Sequence, residues 1–261
     1  MTTRKRYVAF LDILGFKSIL KNVGSADSLG VQMSELLQAS ILSALTGKTA
    51  NVDINQNLDV RTDIRVYQFS DAIILYTEED KDESLYKVIV VLNLLFAQSI
   101  LRGLPLRGAL TFGDLYVNGS IIVGEPMVKA SELEGRQEWS GLIVDCKINS
   151  SLLSKLKDER LVTNWDVALK KLDDKQKIEL ERRLVLNWPQ YCGIRVSSLE
   201  EFEESMARFS GKSNKEEHLD KRNRTIDFFK KNLGTKPLPG FQFDAGKLVL
   251  SATGTLTIKN D

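Results

Sequence analysis

An aspartate stands just inside the first apolar run of the chain, Tyr7-Val8-Ala9-Phe10-Leu11-Asp12-Ile13-Leu14-Gly15-Phe16. A second separates two apolar runs in Val66-Tyr67-Gln68-Phe69-Ser70-Asp71-Ala72-Ile73-Ile74-Leu75-Tyr76. A carboxylate in such company is costly to bury unless something cationic meets it. A fold that buries Asp12 and Asp71 therefore needs a cation beside them; at a strand end on the surface, either would be a cap or a solvated residue. Two such residues, each on or beside a predicted strand, suggest a shared divalent metal ion.

The surrounding pattern tells where these residues fall. Residues 6–13 read as a strand bounded by Gly15, and Ser25-Ala26-Asp27 as a helix start, with Leu29, Met33, Leu36, Leu37, Ile41 and Leu45 at helical spacing. Residues 48–60 are polar and read as a loop. Two strands flank Ser70-Asp71 as a hairpin with Asp71 at its turn. A strongly apolar helix over 82–102, strands at 106–112 and 120–123 joined by turn chemistry at Val117-Asn118-Gly119, a short helix at 126–134 and a strand at 142–144 follow. The order is that of an α+β sheet in split βαβ form, βαββαβ, with helices on one face. Beyond residue 146 the chain turns charged and reads as helical over 146–184 and again over 198–233, with a last strand at Lys247-Leu248-Val249-Leu250-Ser251. The expected division is a core over 1–146 and a mostly helical extension with a final strand over 147–261, packed on the core or on a second copy.

Composition removes several function classes. Thirty-six Lys and Arg face thirty-five Asp and Glu, so no basic excess supports nucleic-acid binding. The single histidine, His218, and two cysteines, Cys146 and Cys192, without metal-ligand spacing, leave no basis for a zinc site or a Ser-His-Asp triad. Neither a Walker A loop nor a Gly-x-Gly-x-x-Gly turn occurs. The apolar stretch Val88–Leu101 contains Asn93 and Gln98 and is too short to span a bilayer. The reading is a cytoplasmic protein with no nucleic-acid or membrane partner.

What remains is oxygen-ligand chemistry. A hard cation such as Mg²⁺ or Mn²⁺ would take the Asp12 carboxylate, a nearby backbone carbonyl and the Asp71 carboxylate. Gly15 lets the backbone turn so that the amides of the following segment, beginning with Phe16, face an anion, and Lys17 lies within reach of a phosphate.

This set of segments resembles the class III nucleotidyl cyclases. Asp12-Ile13-Leu14-Gly15-Phe16 matches that family's first metal motif, and Ser70-Asp71 its Gly-Asp hairpin with Ser in place of Gly. Leu106-Arg107-Gly108-Ala109-Leu110-Thr111-Phe112-Gly113 approaches a later strand of the family, and Val123 to Glu134 its next helix. The matches run in order over roughly residues 6–145. The resemblance implies a cyclase-like palm that binds two divalent ions, Mn²⁺ or Mg²⁺, through Asp12, Asp71 and the Ile13 carbonyl. It implies that Arg107 contacts the triphosphate, and that a homodimer forms with composite active sites.

Where purine cyclases keep a base-reading residue four positions before the second aspartate, this chain has Tyr67; their second base reader falls near Ile121. The helix positions that hold the family's Asn and Arg carry Val128 and Glu132. The run from Leu106 to Tyr116 with Gly124-Glu125-Pro126 and Leu133-Glu134 resembles the bacterial pyrimidine cyclases of the Pycsar anti-phage system. That branch implies UTP or CTP as substrate, cUMP or cCMP as second messenger, and a separate effector that reads it. Lys129 is then the candidate replacement for the transition-state cation. The alternatives are a non-catalytic nucleotide-binding regulator on the same fold, or an adenylate cyclase.

Overall fold

The computed structural model describes residues 3–23, 25–37, 64–174, 176–192, 202–203, 216–233, 241–244, 247–250 and 256–257. The polar stretch 48–60, the helical positions Ile41 and Leu45, and most of 193–215 lie outside them. β1 (Arg4–Ile13) is the organising strand, antiparallel to both of its neighbours, β3 (Ala72–Thr77) and β4 (Leu106–Asn118). β2 (Ile64–Phe69) closes the hairpin with β3, and β5 (Ile121–Val123) folds back on β4. β6 (Leu142–Asp145) joins β4 in parallel. β7 (Val162–Lys170) and β8 (Ile178–Leu186) then complete a mixed sheet of order β2-β3-β1-β4-β6-β8-β7. A separate three-stranded sheet comprises β9 (Phe241–Asp244), β10 (Lys247–Leu250) and β11 (Leu256–Thr257).

Among the described residues the helices are α1 (Phe16–Val23), α2 (Ala26–Leu37), α3 (Asp82–Leu101), α4 (Glu125–Arg136), α5 (Ser150–Asp158), the single turn α6 (Pro189–Cys192) and α7 (Glu216–Asn232). Ser25 caps α2 by accepting from the Ser28 amide at 3.1 Å, as its sequence position predicts. α3 ends before Gly103, whose φ of 79° suits a glycine. Asp82–Ile100 is apolar and long enough to cross a membrane, yet 78% of its most apolar window is buried within the fold.

β1 and β4 are apolar on both faces, as central strands of a covered sheet are. Tyr7, Ala9, Leu11 and Ile13 pack into the main core with Leu85, Val88, Leu92 and Phe96 of α3. α4 lies on the other face: Thr111, opposite Val8 in register, donates to the Pro126 carbonyl at 2.8 Å. Helices thus flank both faces rather than one, because both faces of these strands carry buried side chains.

Residues 162–170 and 178–186 are not helical. They form the β7–β8 hairpin, whose charges are cross-strand partners rather than a solvated helix face. Asp166 opposes Arg182 at 3.2 Å, and Arg136 of α4 reaches Glu179 and Glu181 at 3.1 and 3.0 Å. The alternation Ile178-Glu179-Leu180-Glu181 carries a period of two that the charge density obscures. α7 packs through Phe228, whose ring lies 4.7, 5.1 and 5.8 Å from those of Trp139, Trp165 and Trp188.

Candidate active site

Asp12 is the penultimate residue of β1, and its partner across the β1–β4 ladder is Arg107. On the other side of β1, Leu11 pairs with Ile73, so the Ser70-Asp71 turn of the β2–β3 hairpin comes alongside Asp12. The two carboxyls lie close enough to share a hydrogen bond. Burial pushes the Asp12 carboxyl up to about 6, helped by the negative charges of Glu134 and Asp71 and opposed by Arg107. The turn is built at a conformational cost, since Ser70 has φ 56°. Ser70→Gly is therefore expected to stabilise the protein by roughly 1 kcal/mol, read as a rise in the urea midpoint without a change in slope.

Arg107 is held on three sides. Its Nε donates to Glu134 at 2.5 Å, one terminal nitrogen donates to the Gln137 carbonyl at 2.8 Å, and the other faces Asp12 at 3.8 Å. Glu134 is only 7% exposed, and burial pushes its carboxyl up against the pull of Arg107. Gln137 is buried and saturated: its amide nitrogen donates to the Gly108 carbonyl at 2.7 Å, and its amide oxygen accepts from Trp139 Nε1 at 3.0 Å. Gly108 is required here, since a Cβ would sit 2.5 Å from the Phe10 carbonyl oxygen and force β1 from β4.

The other residues singled out from sequence surround this pair unevenly. Ile13 ends β1 with its side chain buried. Gly15 has φ 73° and leads into α1, whose first residues are half-buried Phe16 and exposed Lys17; the Ser18 and Ile19 amides donate to the Gly15 carbonyl at 2.8 and 3.1 Å. Tyr67 stacks on Tyr76 with ring centroids 5.9 Å apart, and its hydroxyl donates to the Gly119 carbonyl at 3.3 Å. That bond ties Tyr67 to the turn leading into Ile121, so these two positions share a neighbourhood. Arg6 lies over the far ring, 5.0 Å from the Tyr76 centroid. Lys129 is an exposed residue of α4 paired with Asp145 at 2.8 Å, and Val128 and Glu132 point outward beside it. Glu134 and Gln137, which fix Arg107, are residues that sequence reasoning missed. Glu134 entered the sequence reading only within Leu133-Glu134, as part of the resemblance and without a role; Gln137 carried no signal.

Chemically the site offers two convergent carboxylates backed by one arginine. Among the described residues no group of three or more His, Cys, Asp or Glu side chains is placed to hold a metal ion.

No known protein family matches the sequence, and no curated protein does. Solved structures similar to the chain include the catalytic core of a rhodopsin-guanylyl cyclase with converted specificity in complex with ATPalphaS, at 15% identity and TM-score 0.47, covering 70% of this chain and 96% of that one. Another is an adenylate/guanylate cyclase/hydrolase from Silicibacter pomeroyi, at 12% identity and TM-score 0.44, covering 71% of this chain and 98% of that one.

Proposed function

We propose that this protein is a metal-dependent nucleotidyl cyclase acting on a pyrimidine nucleoside triphosphate, UTP or CTP. The observation that carries the reading is the meeting of Asp12 and Asp71 at the end of β1, with Arg107 behind them. The ribose 3′-oxygen bonds to the α-phosphorus, the bond from that phosphorus to the bridging oxygen breaks, and pyrophosphate leaves with the 3′,5′-cyclic nucleotide as product. The hydroxyl proton passes to solvent.

Two divalent ions, Mn²⁺ or Mg²⁺, fit the donor set. The ligands are hard oxygens and few, as suits a cation that completes its shell with water and phosphate. Burial first, and then repulsion from Glu134 and Asp71, lifts the Asp12 carboxyl, and a bound cation would offset both. Asp12, Asp71 and the Ile13 carbonyl would hold the ions, which would supply charge neutralisation and a more acidic 3′-hydroxyl. Arg107, Lys17 and the amides following Gly15 face the triphosphate. Tyr67 and Ile121, which share a neighbourhood through the Tyr67–Gly119 bond, would contact a pyrimidine base.

A head-to-tail homodimer with composite sites belongs to the same reading. Phe69 is 83% exposed at the hairpin tip beside Asp71, and Val128 is 59% exposed on α4, so apolar surface rims the site. A second copy would cover it and add cationic groups that Val128 and Glu132 do not offer. The role that fits is a cytoplasmic second-messenger source in bacterial anti-phage defence, read by a separate effector.

Incubation of the full chain with Mn²⁺ and each of the four ribonucleoside triphosphates tests this. Cyclic product and pyrophosphate from UTP or CTP are expected; preferential turnover of ATP would overrule the reading of Tyr67. The Lys129–Asp145 pair, which engages the one candidate cation elsewhere, favours a second reading as a non-catalytic nucleotide-binding regulator. Calorimetric binding without pyrophosphate release would establish that reading instead.

A further inference from the structure

We propose that α7, far beyond the two aspartates in sequence, aims Arg107. Thr225 and Lys221 are positioning residues that brace the segment between α4 and β6 against β4. The inference rests on the reading of Asp12, Asp71 and Arg107 as a nucleotide site.

The braced segment, residues 137–141, is pinned to β4 on either side of Arg107. Ser140 Oγ donates to the Leu106 carbonyl at 2.7 Å, the Gln137 side-chain amide to the Gly108 carbonyl at 2.7 Å, and the Gly108 amide to the Gly141 carbonyl at 3.0 Å. The same segment presents the Gln137 carbonyl to the Arg107 guanidinium. Its outer side is held by α7. The Ser140 amide donates to Thr225 Oγ1 at 2.9 Å, and that hydroxyl in turn donates to the Lys221 carbonyl at 2.8 Å. Lys221 Nζ lies 3.3 Å from the buried Glu138 carboxylate, and Arg224 donates to the Glu138 carbonyl at 3.3 Å. Thr225 is 1% exposed, so water cannot replace its hydroxyl as the acceptor for Ser140. A long guanidinium side chain is ordered only as well as the groups that accept from it. Loosening the segment from α7 shifts the acceptor that orients Arg107 without touching the site itself.

The test is a double-mutant cycle on the full chain, read as the dissociation constant of 3′-deoxy-UTP and 3′-deoxy-CTP with Mn²⁺ by calorimetry. These nucleotides lack the attacking hydroxyl, so binding is read without turnover. Thr225→Val keeps the shape and leaves the Ser140 amide without its acceptor; binding should weaken about tenfold, and Thr225→Ser should restore it. In an Arg107→Ala background, Thr225→Val should cost nothing further. Equal weakening in both backgrounds, no weakening in the first, or failure of the serine to restore binding would overturn the proposal. A wild-type chain that binds neither nucleotide would overturn the site reading, and the inference with it. Should Thr225→Val fail to melt as a folded protein, Lys221→Met takes its place in the same cycle.

Discussion

On the cyclase reading proposed above, Asp71→Asn and Asp12→Asn are each expected to lower pyrophosphate release by roughly 10³-fold or more, since each removes a carboxylate that would hold the divalent ions against the triphosphate. Stability should move the other way. The Asp12 carboxyl titrates at about 6 in the folded chain against 3.8 for an ordinary aspartate, chiefly because of burial. The folded state therefore binds this proton more tightly than the unfolded state does. As pH rises from about 4 to about 6, the metal-free protein loses stability through this group, and the full penalty is present above that range. Its carboxylate is 27% exposed, so after allowance for screening the penalty at neutral pH is on the order of 1–2 kcal/mol. Asp12→Asn should melt at a higher temperature than wild type in EDTA at pH 7, with a flatter pH profile. Mn²⁺ should raise the melting temperature of wild type and not of the variant. A variant that melts lower in EDTA would show that the buried Asp12 carboxylate carries no such penalty.

The second large effect lies away from the chemistry. Phe228→Ala should cost about 3–5 kcal/mol, because a buried aromatic is replaced by a cavity among large rigid rings that cannot collapse into it. Phe228 meets Trp139 edge-on at 82° and touches Trp165 and Trp188 as well. A urea titration should show a much lower midpoint with an unchanged slope. A loss under about 1 kcal/mol would mean that α7 is not part of the core.

Much of the first half of the chain was legible because its elements are signalled locally. The alternation into Asp12, the Ser-Asp turn between two apolar runs, the Ser25 cap and the glycine after α3 are each read within a few residues. Asp12 and Asp71 could be paired from sequence because each sits at the end of an apolar strand. The β7–β8 hairpin was hidden because its charged residues look like a helix surface until their cross-strand partners are known. The grip on Arg107 was hidden for a different reason. Glu134, Gln137 and Thr225 act through contacts that span from 27 to 85 residues of chain, as between Arg107 and Glu134 and between Ser140 and Thr225. No periodicity encodes such a pairing. The helix at 126–134 was legible but its place on the second face was not, since continuous apolar character in β1 and β4 states that both sides are covered without saying by what.

The brace between α7 and the segment beside Arg107 also bears on how the molecule is made. Both aspartates and the arginine emerge early from the ribosome, whereas Thr225 follows more than a hundred residues after Arg107. Contacts of such separation form late, because the intervening loop must close first. A nascent or prematurely ended chain thus holds the charged groups without the element that orders them. On the proposed brace, competence arrives with α7, and unfinished chains stay silent.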